Sequence, residues 1–282
     1  MLLKFIHKFF LQLFLFLLVL PSSSHAFNIN LQPKEIFPGD VIFLKMTSDE
    51  ASIPEALFRG KEIKFYKLQE NEYGAFVPVD IVTPPGDYSI DVKSAGKGKS
   101  LSVKIKPYAF PTKKITLPEE KVMLSPDDSL RVEREYLMQE EIWKIDTGKT
   151  WNGAFVSSTD TVVSEKFGVT RIMNEKKTSV HLGIDMKGKN GAPVRAINSG
   201  RVVLRENLFY GGNTLIIDHG MGLLSVYMHL SDFNVDNGAE VTKGDVIGFV
   251  GMTGRATGPH LHMSVKLQGV SINPEALMRL EF

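Results

Sequence analysis

Glycine punctuation is the feature that most limits what this chain can become. From Gly168 to Gly258 the glycines recur at short intervals, among them Gly183, Gly191, Gly200, Gly211, Gly212, Gly220, Gly238, Gly244, Gly248, Gly251 and Gly254. Between them lie short β-forming runs such as Gly200-Arg201-Val202-Val203-Leu204, Thr214-Leu215-Ile216-Ile217 and Leu223-Leu224-Ser225-Val226-Tyr227-Met228-His229. No stretch from Gly168 to Ser271 is long enough for a useful helix, so an antiparallel β domain follows.

The front of the chain reads as β as well. Pro38-Gly39-Asp40 and Pro84-Pro85-Gly86-Asp87 mark turns before Val41-Ile42-Phe43-Leu44 and Tyr88-Ser89-Ile90-Asp91-Val92, and Leu101 to Ile105 alternates with period two. Short strands set between Gly/Pro turns predict a small β-sandwich of immunoglobulin type. It carries no histidine and only scattered acids, so it reads as a spacer, docking or inhibitory module. Ser125-Pro126-Asp127-Asp128 places an N-cap, a first-turn proline and two acids at the start of a helix running to about Lys144. Its apolar residues form no clean stripe, which suits a solvated connector.

Ahead of all this stand Lys4, His7 and Lys8, an apolar run from Phe9 to Leu20 broken only by Gln12, and Ser24-His25-Ala26. A basic head, a short apolar core and small residues at −3 and −1 predict a secretory signal peptide cut after Ala26. The run is too short for a membrane anchor, which needs roughly 20 residues. Losing Lys4 and Lys8 turns the formal charge from +1 to −1, so no bulk charge draws the mature chain to nucleic acid. The resulting division is 1–26 signal peptide, 27–111 β-sandwich, 112–150 linker with helix, and 151–282 the chemical domain. The fold class is mainly β, and no stable membrane span is expected after cleavage.

The chemistry concentrates at the back. Of seven histidines, His7 and His25 leave with the leader, and His181, His219, His229, His260 and His262 all lie in the last domain. His260-Leu261-His262 puts two imidazoles on one face of a strand, and the even spacing of His181 and Asp185 keeps those two on one side. Two His and one Asp make three protein ligands for zinc and leave a position for water, as catalytic zinc requires. With no cysteine in the chain, a closed Cys-based structural site is excluded, as are disulfides and thiolate catalysis. Histidines left over beside such a water could take its proton and stabilise an oxyanion. His219, in Asp218-His219-Gly220, reads as a structural turn residue, and Asp218 likewise.

His181-X-X-X-Asp185 followed by Gly258-Pro259-His260-Leu261-His262 resembles the lysostaphin-like zinc metallopeptidases, which cut peptide bridges of bacterial peptidoglycan. The resemblance takes in Phe167-Gly168, Gly191-Ala192-Pro193-Val194, Gly211-Gly212-Asn213, Tyr227-Met228-His229-Leu230, Thr253-Gly254 and Asn273-Pro274, spanning about 167–277. It implies Zn2+ on His181, Asp185 and His262, catalytic roles for His229 and His260, and attack of a metal-polarised water on an amide. Two departures, Met263-Ser264 after the His-Leu-His and Ser157-Ser158 where a proline is common, fall at positions that are not ligands. Three readings compete: a zinc endopeptidase in cell-wall remodelling, a non-catalytic wall-binding regulator of another hydrolase, and a lipoyl-type carrier suggested by Val241 to Gly248. The complete ligand set disfavours the regulator, and the lack of a modifiable hairpin-tip lysine disfavours the carrier. The enzyme reading carries an exported, most simply periplasmic, location, and restraint of the groove by the N-terminal half. Which peptide bond is cut stays open, with D-alanyl–diaminopimelate and glycine–glycine among the candidates.

Overall fold

A computed structural model describes residues 27–48, 52–116, 119 and 123–282; the proposed signal peptide lies outside them. The front half contains β1 (Asn28–Gln32), β2 (Val41–Thr47), β3 (Glu55–Phe58), β4 (Lys61–Lys64), β5 (Tyr66–Gln69), β6 (Glu72–Pro78), β7 (Gly86–Ser94) and β8 (Lys97–Ile105). They form two antiparallel four-stranded sheets, ordered β1-β2-β6-β5 and β4-β3-β7-β8. The expected β-sandwich is there, with four strands between residues 55 and 78 that the turn signals had not resolved.

Strand β2 shows why this module is not free-standing. Ile42, Leu44 and Met46 point into the sandwich core with Ile90, Val92 and Val103. On the opposite face Val41 and Phe43 join the core of the back half. Strand β6 splits the same way, Ala75 and Val77 inward and Phe76 outward. A sheet covered on both faces reads as a continuous apolar run, as Val41 to Leu44 does. Phe43 lies 6.1 Å from Trp151 and 5.0 Å from Phe282, and Trp151 lies 5.8 Å from Phe155.

The linker contains β9 (Thr112–Ile115), which the sequence did not announce, and α1 (Pro126–Ile142), capped by Ser125 as expected. Met138, Ile142 and Trp143 rest on Leu204, Leu208, Ile216, Leu224 and Val226, though no residue of α1 is fully buried.

The back half follows with β10 (Val163–Glu165), β11 (Thr170–Met173), β12 (Lys177–Val180), β13 (Ile184–Lys187), β14 (Pro193–Arg195), β15 (Gly200–Leu208), β16 (Gly212–Asp218), β17 (Leu223–Phe233), β18 (Glu240–Val241), β19 (Val246–Val250), β20 (His260–Leu267), β21 (Val270–Ile272) and the short α2 (Pro274–Met278). Its main antiparallel path is β10-β13-β20-β17-β16-β15-β18. A smaller sheet, β12-β11-β9, is parallel where β9 meets β11, Thr112 opposite Thr170 and Ile115 opposite Met173. The linker thus supplies an edge strand to the back half. None of the described helices is long and apolar enough to cross a membrane.

Candidate metal centre

Register assembles the site. In the antiparallel pair β13·β20, Asp185 lies opposite His262 and Lys187 opposite His260, so Asp185, His260 and His262 present to one face. His181 arrives differently from the expected strand. It sits before β13 begins, and its backbone pairs with the segment after Phe167: its carbonyl accepts from Gly168 N–H (2.7 Å), and its N–H donates to the Val169 carbonyl (2.8 Å). Gly183 makes that approach feasible, because a Cβ there would lie 2.7 Å from the His262 ring and 2.6 Å from the Met263 carbonyl.

The three donors converge. His181 Nε2 lies 3.0 Å from Asp185 Oδ1 and 3.0 Å from His262 Nδ1, and His262 Nδ1 lies 2.8 Å from the same Oδ1. His181 Nδ1–H donates to the Lys166 carbonyl at 2.9 Å, which leaves a lone pair on Nε2. That lone pair faces a carboxylate oxygen, so two acceptors meet in a buried place and call for a cation between them. Burial works against the charge of Asp185, but the two imidazoles packed on Oδ1 outweigh it and hold the carboxyl well below its usual range, so it is the ionised donor a metal takes. Burial lowers the pKa of His262, favouring the neutral imidazole a metal binds. Imidazole, imidazole and carboxylate are a donor set that fits zinc.

His229 and His260 stand beside the trio, ring centroids 4.8 Å apart, and His260 Nε2 is 3.9 Å from Asp185 Oδ1. Each has its Nδ1–H committed to a carbonyl, His229 to Thr253 (2.9 Å) and His260 to Gly258 (2.8 Å). Both therefore keep an Nε2 lone pair for a proton. His229 does not close its strand, as its sequence position suggested. It lies inside β17, next to a register irregularity, with φ +64°. A non-glycine residue in that left-handed region is strained, and such strain clusters at functional positions. Burial, then the charges of His260 and His262, pushes its pKa down to about 3.

His219 is brought to none of this. It is fully buried at the β16–β17 connection, with Nδ1–H on the Ser199 carbonyl (2.8 Å) and Nε2 accepting from Ser225 Oγ (2.7 Å). Asp218 accepts from Thr147 Oγ1 and Gly220 N–H nearby. Both are structural.

The five site residues open on a groove of about 380 Å³, or border it, and the groove brings in side chains that sequence reasoning passed over. Arg171 donates to Asp185 Oδ2 (2.6 Å) and to Glu165, and Lys113 of β9 pairs with Glu165 at 3.0 Å. Arg255 lines the groove too. Arg171 stands three residues after Gly168 and Arg255 directly after Gly254, and neither spacing sets them apart from ordinary surface charges. Among the described residues, the linker contributes Lys113, Ile115 and Thr116 to this wall, and neither a sandwich strand nor α1 contributes to it.

An antiparallel β domain with a His2Asp trio and two further imidazoles in a groove defines a metallopeptidase class of site. Comparison places it more narrowly: residues 179–274 match the model of peptidase family M23. Over 95 residues the chain is 43% identical to DD-carboxypeptidase/endopeptidase Mpg of Neisseria meningitidis, covering 34% of this chain and 22% of that protein. Over 98 residues it is 40% identical to peptidoglycan DD-endopeptidase ShyA of Vibrio cholerae, covering 35% and 23%. The chain thus aligns with about a fifth of the length of these curated relatives. A crystal structure of a putative peptidase M23 from Pseudomonas aeruginosa superposes with TM-score 0.66 at 28% identity, over 86% of this chain and 95% of that one.

Proposed function

We propose that this chain is a zinc endopeptidase that hydrolyses peptide cross-links of bacterial peptidoglycan outside the cytoplasm. The observation that carries the reading is the convergence of His181 Nε2, Asp185 Oδ1 and His262 Nδ1 beside two imidazoles whose Nε2 atoms are free. His181, Asp185 and His262 would hold the metal, and zinc bound there supplies Lewis acidity toward water and the scissile carbonyl. The chain's own groups do the rest. His260 Nε2 takes a proton from the attacking water and returns it to the departing amine. His229, its Nδ1–H held by the Thr253 carbonyl and its ring beside that of His260, accepts a hydrogen bond from the water at Nε2 and so orients it. The relatives named for peptidoglycan endopeptidase activity support the substrate.

The leader read in residues 1–26 supports export, with the periplasm as destination. The front half acts on the groove through its linker strand, since Lys113, Ile115 and Thr116 of that segment form part of the wall. Restraint of activity by the N-terminal half would run along this route. The complete donor set argues against a purely regulatory relative.

The test is digestion of cross-linked peptidoglycan by the purified protein with and without a chelator. Loss of dimeric muropeptides, stopped by chelation and restored by zinc, is expected, with His262→Ala inactive. Intact dimers in the presence of zinc would overturn the reading.

A further inference from the structure

We infer that Arg255 reads a free carboxylate on the substrate peptide, within one residue of the amide that is cut. The inference rests on the peptidase reading above and narrows its substrate.

Arg255 is a half-buried cation without a counter-ion. Its Nη1 is buried and has no hydrogen-bond partner, and among the described residues no carboxylate lies within ion-pair distance of it. The other groove guanidinium, Arg171, is different: Glu165 and Asp185 neutralise it. Lys113 also has Glu165. Arg255 additionally feels Arg171 as a like charge, and burial itself works against its protonated form. Away from the groove it borders a hollow shared with Asp128 and Arg131, and neither pairs with it there. A cation drawn partly out of water with a buried N–H left unpaired is costly, and a ligand that brings an acceptor would remove that cost.

The residue is also held in place. Its guanidinium stacks 4.2 Å from the Tyr210 ring centroid, and its backbone N–H donates to the Tyr210 carbonyl at 3.0 Å. Gly254 permits this clamp: φ is +69°, and a Cβ there would sit 2.3 Å from Gly212 N. Arg255 is therefore a pre-positioned planar fork in the same groove as His229 and His260. A carboxylate matches that fork with two parallel hydrogen bonds. A dication on Asp185 would make the groove more positive still and favour an anionic peptide further. Of the two cross-link chemistries, a D-alanyl–diaminopimelate bond carries a free carboxylate on the carbon attached to the scissile nitrogen. A glycine–glycine bond carries none, so the geometry selects the first.

The experiment uses the zinc-loaded full chain and two synthetic cross-linked peptides, identical except that this carboxylate is a free acid in one and a primary amide in the other. Binding is measured by calorimetry and cleavage by product analysis, for the unmodified protein, Arg255→Met and Arg255→Lys. The acid is expected to be preferred roughly tenfold to a hundredfold in kcat/KM. Arg255→Met, which keeps an apolar stem against Tyr210, should lose that factor on the acid alone, and Arg255→Lys should keep part of it. Equal cleavage of acid and amide by the unmodified chain would overturn the inference, and so would an equal loss on both peptides in Arg255→Met. Selective binding of the acid without cleavage of either would sustain the carboxylate site and sink the peptidase reading. Neither binding nor cleavage would sink both.

Discussion

Arg171 donates to Oδ2 of Asp185 at 2.6 Å, while Oδ1 of the same carboxylate faces His181 and His262. The guanidinium fixes which oxygen is turned to the metal position. Outer partners of this kind typically tune metal affinity 10- to 100-fold. Arg171→Gln should weaken zinc binding by roughly that factor in a chelator competition, with Arg171→Lys falling between. Unchanged affinity in Arg171→Gln would show that Asp185 needs no such support.

His229 offers a test in which two readouts separate. Its φ of +64° suits glycine far better than any residue with a Cβ. His229→Gly should be more stable than His229→Ala by about 1 kcal/mol in denaturant midpoints, the reverse of the usual order within a strand. Both variants should lose about 10²- to 10⁴-fold in kcat. Retained activity in either would remove His229 from the machinery.

The buried His219 predicts a pH-dependent stability. Burial lowers its folded pKa to about 4, against about 6.5 in the unfolded chain. Between those values the unfolded state binds more protons, so stability is full above pH ~6.5 and falls as the pH drops toward 4. The total is about 3 kcal/mol. His219→Gln should show a flatter stability profile than the unmodified chain across this window. Parallel profiles would refute the assignment.

The aromatic contact between halves predicts joint unfolding. Phe43 touches Phe76, Trp151 and Phe282, so Phe43→Ala opens a cavity that both halves line. A loss of about 3–5 kcal/mol is expected, as one calorimetric transition moved down in temperature. Two separated transitions would show the halves to be independent.

Much of this architecture was legible in the residues. Alternation between Gly/Pro turns gave the β character of both halves, and Ser125-Pro126 gave the start of α1 because capping is a local event. His260-Leu261-His262 gave a shared face because strand periodicity is local too. His181 was placed on a strand it does not occupy, since a pairing with Gly168 and Val169 depends on distant backbone. Strand β9 escaped notice for the same reason: Thr-Lys-Lys-Ile has no pattern of its own and becomes a strand only through its partner β11. Arg171 and Arg255 look like ordinary surface charges until the groove brings Asp185 to one and withholds a partner from the other.

The parallel docking of β9 beside β11 has a consequence for how this chain can vary. β9 takes its place from that ladder, not from the length of the connector before it, so its alignment is what aims Lys113 and Ile115 at the groove. A one-residue slip between the two strands would turn those side chains to the opposite face and re-line the wall without altering a histidine.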